Sequence, residues 1–313
     1  MEQRNLGRSG LLVSVVGLGC NNFGMRLDTN GTRAVIDKAI DLGITLFDTA
    51  DYYGGLGGSE KAMGEVLGAR RKDIVLATKF GLPMDNEGKK KGASRRYIMQ
   101  AVEASLERLQ TDWIDLYQVH FPDPQTPMDE TLRALDDLIQ QGKVRYIGCS
   151  NHAAWQLVEA HFLARELRLN HFISCQDEYS LVERKAEAEL IPAARKYGLG
   201  LLPYFPLASG LLTGKYKRGA KMSDDMRLSQ SWAGDRYLNE TNWGIVERLS
   251  SYAEQHGHSL LELAMSWLAA KEPVASVIAG ATKPEQVESN AKSVSWKLTP
   301  AEVAEIDALA KPA

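Results

Sequence analysis

The chain has 313 residues, 44% of them hydrophobic and 25% charged, an ordinary balance for a globular protein and too apolar for disorder. That length suits two ordinary domains or one large α/β barrel. A net charge of −3 gives no electrostatic reason to expect nucleic acid or an anionic membrane as partner, so any anion site must be local.

The first residues, MEQRNLGRSG, lack the apolar core of a signal peptide, and no run approaches the roughly 18 apolar residues that span a bilayer. A cytoplasmic protein is expected. The segment NLGRSGLLVS, with its Gly7–Gly10 turn, predicts a hairpin that plugs the amino-terminal end of a barrel. Strand-like runs follow at 14–18, 44–47, 74–78, 114–119, 144–149, 172–175, 199–203 and 276–279. Helical periodicity fills most of the intervals, at 33–42, 59–67, 96–109, 128–141, 155–168, 187–197 and 260–270. Ser94 is placed to cap the third of these, and Gly43, Gly68, Gly142 and Gly198 to close others. The strands are near-continuously apolar, as they are when helices cover a parallel sheet. Eight β/α alternations without a linker predict a single (β/α)8 TIM barrel over residues 1–313 rather than two doubly wound domains.

One stretch interrupts the alternation. Residues 205–241, after the seventh strand, are long, polar and rich in Lys and Arg, which predicts a functional loop. Cys20, Cys149 and Cys175 are odd in number, lack metal-ligand spacing and lie in apolar or strand-end segments. Inert reduced thiols are expected, and no metal site.

Four titratable residues stand where strand-like runs give out: Asp48 and Tyr53 in FDTADYYG, Lys79 in DIVLATKF and His120 in IDLYQVHF. In a parallel barrel the loops after the carboxyl ends of the strands build the active site. Reduction of a carbonyl needs a proton delivered to the developing alkoxide, and an unperturbed tyrosine, with a pKa of about 10, gives it up reluctantly near neutrality. An adjacent ammonium favours the phenolate, a carboxylate holds the ammonium, and an imidazole orients the carbonyl oxygen. Tyr53 is thereby cast as general acid, Lys79 as its tuner, Asp48 as the anchor and His120 as the orienting donor. Singly, each has an ordinary structural role open to it, as a cap, a turn aromatic, a solvated lysine or a packed histidine. Four such coincidences at successive strand ends carry the functional assignment.

These residues resemble the aldo-keto reductase superfamily. FDTADYYG looks like that family's Asp-x4-Tyr motif, which selects Tyr53 over Tyr52, and ATKF and DLYQVHFPD look like its lysine and histidine segments. The resemblance continues through SLERLQTDWIDLYQVH, GKVRYIGCSN, PLASGLLTGKY and GATKPEQVESN, in order along nearly the whole chain. It implies a barrel oxidoreductase that uses NADPH or NADH, with Asp48, Tyr53, Lys79 and His120 as the catalytic tetrad.

The chain has no GxGxxG between strand and helix, since Gly17, Gly19 and Gly24 are wrongly spaced for a Rossmann site. The resemblance implies another mode. Ser150, Asn151 and Gln176 match residues that hydrogen-bond the nicotinamide carboxamide, and Tyr204 matches the aromatic that stacks on its ring. Phe205, Pro206 and Leu207 lead from it into the phosphate segment. There Ser209, Gly210, Leu211, Thr213, Gly214 and Lys215 suit a pyrophosphate, because glycine lets backbone N–H groups approach and lysine adds charge. Gly280, Thr282 and Lys283 precede Pro284, a first helical residue whose helix end would favour phosphate. Gln286 and Asn290 match positions that contact the adenosine half. Gln286 stands where many members carry an arginine on the 2′-phosphate. Lys283 is expected to compensate, so NADP is the expected cofactor, with NAD as alternative.

Phe121 matches an aromatic of the substrate site, Asn21 a position often held by tryptophan, and Phe23 and Tyr52 are further wall candidates. The expected partner is a small-molecule carbonyl or sugar, not nucleic acid or membrane. Two other functions stay open at this point. One is a cofactor-retaining partner subunit like the channel-associated β-subunits that resemble this family, although nothing here resembles their added N-terminal segment. The other is a sugar or alcohol dehydrogenase running the same chemistry in reverse.

Overall fold

The computed structural model describes every residue except 224, 225, 230 and 313. Eight parallel strands build the barrel: β3 (Val16–Gly19), β4 (Leu46–Asp48), β5 (Val75–Phe80), β6 (Ile114–Val119), β7 (Val144–Ser150), β8 (Ser174–Glu178), β9 (Gly200–Tyr204) and β10 (Val277–Gly280). They lie in the order β10-β3-β4-β5-β6-β7-β8-β9. The remaining gap, between β9 and β10, is drawn together at one parallel bridge, Leu201 to Val274. There the Leu201 N–H donates to Pro273 O (2.9 Å) and the Ala275 N–H to Leu201 O (3.0 Å).

Ahead of the barrel, β1 (Gln3–Asn5) and β2 (Leu12–Ser14) pair antiparallel as the predicted hairpin. Leu6 and Val13 project from it into a small interior core with Leu46, Ala77, Leu116, Leu202 and Ile278, all buried. The plug is therefore apolar, and it closes the end where the strands begin. The larger core lies outside the strands, between them and the helices.

The predicted helices appear as α1 (Thr29–Asp41), α3 (Gly58–Leu67), α4 (Arg95–Leu109), α5 (Met128–Gln140), α6 (Ala154–Leu167), α7 (Leu190–Tyr197) and α10 (Leu260–Ala270), with a short α2 (Tyr53–Leu56) before α3. Ser94 caps α4 by accepting from the Tyr97 N–H, as expected. Helix α1 starts four residues before the predicted one, because the Asp28 side chain accepts from the Gly31 N–H and its cap outweighs the glycine in the first turn.

Further regions differ from the sequence expectation. Strand β8 runs through Gln176 and Glu178 rather than stopping at Cys175, since strand pairing to β9 continues beyond the apolar run. The stretch after β9 is not one long loop. It holds 3-10 turns at Ala208–Thr213 and Arg227–Ser229, then α8 (Ser231–Tyr237) and the start of α9 (Glu240–Gln255); residues 224, 225 and 230 fall outside the description. Helix α9 buries Ile245, Val246, Leu249 and Ala253, a helical spacing that the sequence displays and that the prediction passed over. Helices α11 (Pro284–Lys292) and α12 (Pro300–Leu309) complete the chain. No helix among the described residues is long and apolar enough to cross a membrane. All three cysteines are free and buried, and burial raises each thiol pKa, that of Cys175 to about 12, which disfavours the reactive thiolate.

Candidate active site

At the carboxyl ends of the strands, Asp48 terminates β4, Tyr53 opens α2, Lys79 is the last but one residue of β5 and His120 follows β6 directly. The parallel register puts Lys79 opposite Gln118 and Gln118 opposite Gly148. Glycine leaves room at 148, where a Cβ would stand 2.4 Å from Ser174 Oγ and 3.3 Å from the Gln118 side chain.

Lys79 is wholly buried, so its charge needs partners. Its ammonium donates to Asp48 Oδ2 (2.6 Å) and to the backbone carbonyl of Thr49 (2.8 Å). The other carboxylate oxygen, Asp48 Oδ1, accepts from the amides of Gln118 (3.1 Å) and Gln176 (3.0 Å). Asp48 is thus held by three side-chain donors on three different strands, and it holds the ammonium in turn. Lys79 Nζ lies 5.0 Å from the Tyr53 ring centroid.

Burial raises the Tyr53 pKa and outweighs the pull of Lys79 in the other direction. This differs from the expected tuning: the ammonium moderates the rise without reversing it. The phenol is therefore protonated at neutral pH. His120 packs edge-on to Tyr53, with ring centroids 5.6 Å apart. Burial, reinforced by Lys79, lowers its pKa to about 3, so the imidazole is neutral at neutral pH. Its Nδ1 is enclosed and without a partner, which leaves Nε2 as the ring's polar contact with the cleft.

The cleft above has a volume of about 700 Å³, and Asp48, Tyr53 and His120 lie on its floor. Ser150, Asn151, Gln176 and Tyr204 line its middle, and Asn21 and Phe121 also face it. Tyr204 donates its hydroxyl to Asn151 Oδ1 (2.8 Å), and the Asn151 amide donates to His120 O (2.9 Å), so these groups are mutually fixed. Gln176, expected to meet the carboxamide, lines the cleft and also holds Asp48 through its amide.

Farther out the cleft is lined by Phe205, Pro206, Leu207, Ser209, Gly210, Thr213 and Lys215 on one side and by Gly280, Thr282, Gln286 and Asn290 on the other. Phe205, Ala208, Ser209 and Gly210 all have positive φ (51°, 46°, 56° and 102°). Such a run is costly for non-glycine residues and turns backbone toward a bound group. The Ser209 hydroxyl is buried without a partner. Gln286 Oε1 accepts from the Thr282 N–H (2.7 Å), so its side chain already caps the start of α11.

Five residues predicted for the cofactor or substrate walls do not line the cleft. Phe23 is fully buried in the outer core, which corrects its assignment to the substrate wall. Leu211 is likewise core, since the 3-10 turn rotates it inward. Tyr52 points to solvent outside the cleft lining, and Lys283 is exposed outside it. Gly214 also lies outside the lining.

The structure adds residues that the sequence reasoning missed. Gln118 is one, and its signal was a polar residue inside an apolar strand. Arg26 and Arg227 are others, both lining the cleft. Arg227 lies over Phe205 (5.3 Å) and near Trp232 (5.8 Å), with Nε buried and unpartnered. The polar 205–241 stretch announced a basic group without saying which of its cations turns inward.

Comparison with known proteins agrees with this geometry. The sequence model of the aldo/keto reductase family matches residues 15–311. The chain belongs to that family of oxidoreductases. It is 39% identical to a probable voltage-gated potassium channel subunit beta of Arabidopsis thaliana, over 94% of this chain and 91% of that one. A protein of Bacillus subtilis named as the uncharacterized oxidoreductase YrpG is 38% identical, over 95% of this chain and 92% of that one. A similar probable channel subunit beta from Oryza sativa is 39% identical over 99% of this chain. Family membership supports a nicotinamide cofactor, and the cleft fits one: an unpartnered buried hydroxyl, a turned backbone and inward cations line its outer half.

Proposed function

We propose that this protein is an NADPH-dependent reductase of aldehydes or ketones, with Tyr53 as general acid. The observation that carries this is the buried Asp48–Lys79 pair set beside a half-buried Tyr53 and a neutral His120 on the floor of one cleft. The reduced cofactor supplies the hydride. A carbonyl oxygen lodged between Tyr53 and His120 accepts a hydrogen bond from His120 Nε2 and is so oriented. As negative charge develops there, the Tyr53 hydroxyl hands over its proton. The phenolate left behind faces the Lys79 ammonium, and in a buried site that attraction is far stronger than in water. Asp48 keeps the ammonium in place, and the Gln118 and Gln176 amides keep Asp48 from turning away.

Ser150, Asn151, Gln176 and Tyr204 would hold the nicotinamide end, and Ser209, Gly210, Lys215 and Arg227 the phosphates. Gln286 and Asn290 would meet the adenosine. The preference for NADPH over NADH rests on the inward cations, chiefly Arg227, now that Lys283 lies outside the cleft. Oxidation of an alcohol or sugar is the reverse of the same step. The relatives named as channel subunits beta favour a second reading, a cofactor-bearing partner subunit with slow turnover. The deciding experiment is a panel of aldehydes, ketones, aldoses and alcohols with NADP(H) and NAD(H). Turnover of simple aldehydes with NADPH is expected, and cofactor binding without turnover of any substrate overturns the reductase in favour of the subunit.

A further inference from the structure

Asp51, in the turn between β4 and α2, has no part in the chemistry above, and it is 1% exposed. Both carboxyl oxygens are enclosed and accept no hydrogen bond of normal geometry; only the Tyr52 backbone N–H leans toward them. The turn itself is pinned. The Asp51 N–H donates to Lys79 O (3.0 Å), and two residues on, the Tyr53 N–H donates to Ala50 O (3.1 Å). Asp51 therefore sits at the root of the turn that presents Tyr53 to the cleft.

The groups facing it have little to offer a carboxylate. Glu60, on α3, is fully buried and accepts from Thr78 Oγ1 (2.6 Å) and Arg108 Nε (2.7 Å), so the guanidinium from α4 is already engaged. Lys79, on β5, is bound to Asp48. The Tyr117 hydroxyl, on β6, is buried and equally unpartnered, and Tyr97 of α4 lies within reach of the same field. An ionised Asp51 would be a second buried carboxylate beside Glu60, with no hydrogen bond of normal geometry to hold its charge. That is among the costliest arrangements a protein interior can hold. Burial, then Glu60, push the Asp51 carboxyl up to about 8, against the smaller opposing pull of Arg108 and Lys79.

We propose that Asp51 is a positioning residue, carried as the neutral acid to seat the Tyr53 turn and unseating that turn when it ionises. The proposal rests on Tyr53 being the proton donor, so its test includes readouts that need no turnover. Asp51→Asn keeps the shape and stays neutral at every pH, and Asp51→Ser is a second neutral variant.

The native carboxyl holds its proton up to about pH 8, while the unfolded one loses it near the ordinary value of 3.8. Between these limits the native state binds the extra proton, so wild-type stability falls as pH rises. The Tm of Asp51→Asn minus that of wild type should therefore climb from pH 4 to pH 8 and level off above; a constant difference overturns the proposal. The Tyr53 Cζ resonance, assigned by its loss in Tyr53→Phe, should step near pH 8 in wild type and not in Asp51→Asn. No step in wild type overturns the proposal even if neither variant folds. In turnover of an aldehyde with NADPH, wild-type kcat/KM should fall about tenfold per pH unit above 8. In Asp51→Asn that limb should vanish, with NADPH affinity unchanged. Tyr53 itself titrates above the usual phenol range, so its own loss of a proton lies higher. An identical limb in both proteins overturns the proposal. Absence of turnover in both defeats the proposed reductase alone, and the thermal and NMR results still decide Asp51.

Discussion

The two ends of this barrel are built from the same eight strands and hold opposite interiors. Where the strands begin, Leu6 and Val13 of the hairpin meet Leu46, Ala77 and Leu116 in an apolar plug. Where they end, Asp48, Lys79, Gln118 and Gln176 occupy the interior as one hydrogen-bonded set. The lower end gains its stability from burying apolar surface. In the upper end every charge depends on a partner from another strand, so it is rigid only while complete. A change at the plug should therefore cost stability alone, and a change at the rim should cost chemistry as well.

Lys79→Met tests the rim hardest. It leaves Asp48 buried without its cation, a loss of about 3–5 kcal/mol by the usual cost of breaking a buried pair, and it also removes the ammonium facing the phenol. Denaturant unfolding and aldehyde turnover should both fall, and unchanged stability would mean that the two amides alone satisfy Asp48. Tyr53→Phe should separate the two effects. The ring packing stays, cofactor binding is nearly intact, and reduction drops by about 10²- to 10⁴-fold, the usual contribution of a positioned acid. Near wild-type turnover would remove Tyr53 from the proposed role. Tyr52→Phe, on a solvent-facing ring, is the control and should stay within about 0.5 kcal/mol in stability.

Leu6→Ala is the matching experiment at the plug. Leu6 is fully buried, so about 2–5 kcal/mol of stability should go, with kcat/KM of the folded protein unchanged. A lower kcat/KM at full occupancy of the folded state would show that the two ends are coupled. Arg227→Ala should act at the outer cleft only. A charge-assisted phosphate contact of roughly 1.5–3 kcal/mol corresponds to a tenfold or greater loss of NADPH affinity. Selective loss of NADPH assigns Arg227 to the 2′-phosphate, and equal loss of NADH assigns it to the pyrophosphate. No loss of either detaches this wall from the cofactor. Lys283→Ala, exposed and outside the cleft, should have the smallest effect of all.

Much of this was legible in the sequence. Apolar runs of four to six residues separated by helical periods gave the barrel, because helix-covered parallel strands must be apolar on both faces. The Gly7–Gly10 turn marked the hairpin, and the four strand-end residues were legible because a strand's end is a local feature. Phe23 was misplaced for the complementary reason: a turn aromatic looks the same in sequence whether it faces the cleft or the core.

The sequence by itself determined the fold class and the titratable groups at the strands' carboxyl ends. Tertiary structure decided what those groups touch. Asp48 meets the Gln118 and Gln176 amides 70 and 128 residues away, and only closure of the sheet through Leu201 and Val274 brings such strands into one ring. It also decided that Arg227 turns into the cleft while Lys283 stays outside, and that Asp51 is sealed beside Glu60 rather than solvated. The physical reason is the same throughout. Hydrophobic period and turn chemistry act over a few residues, whereas desolvation and charge pairing depend on the whole surroundings of an atom, which exist only once the barrel has closed.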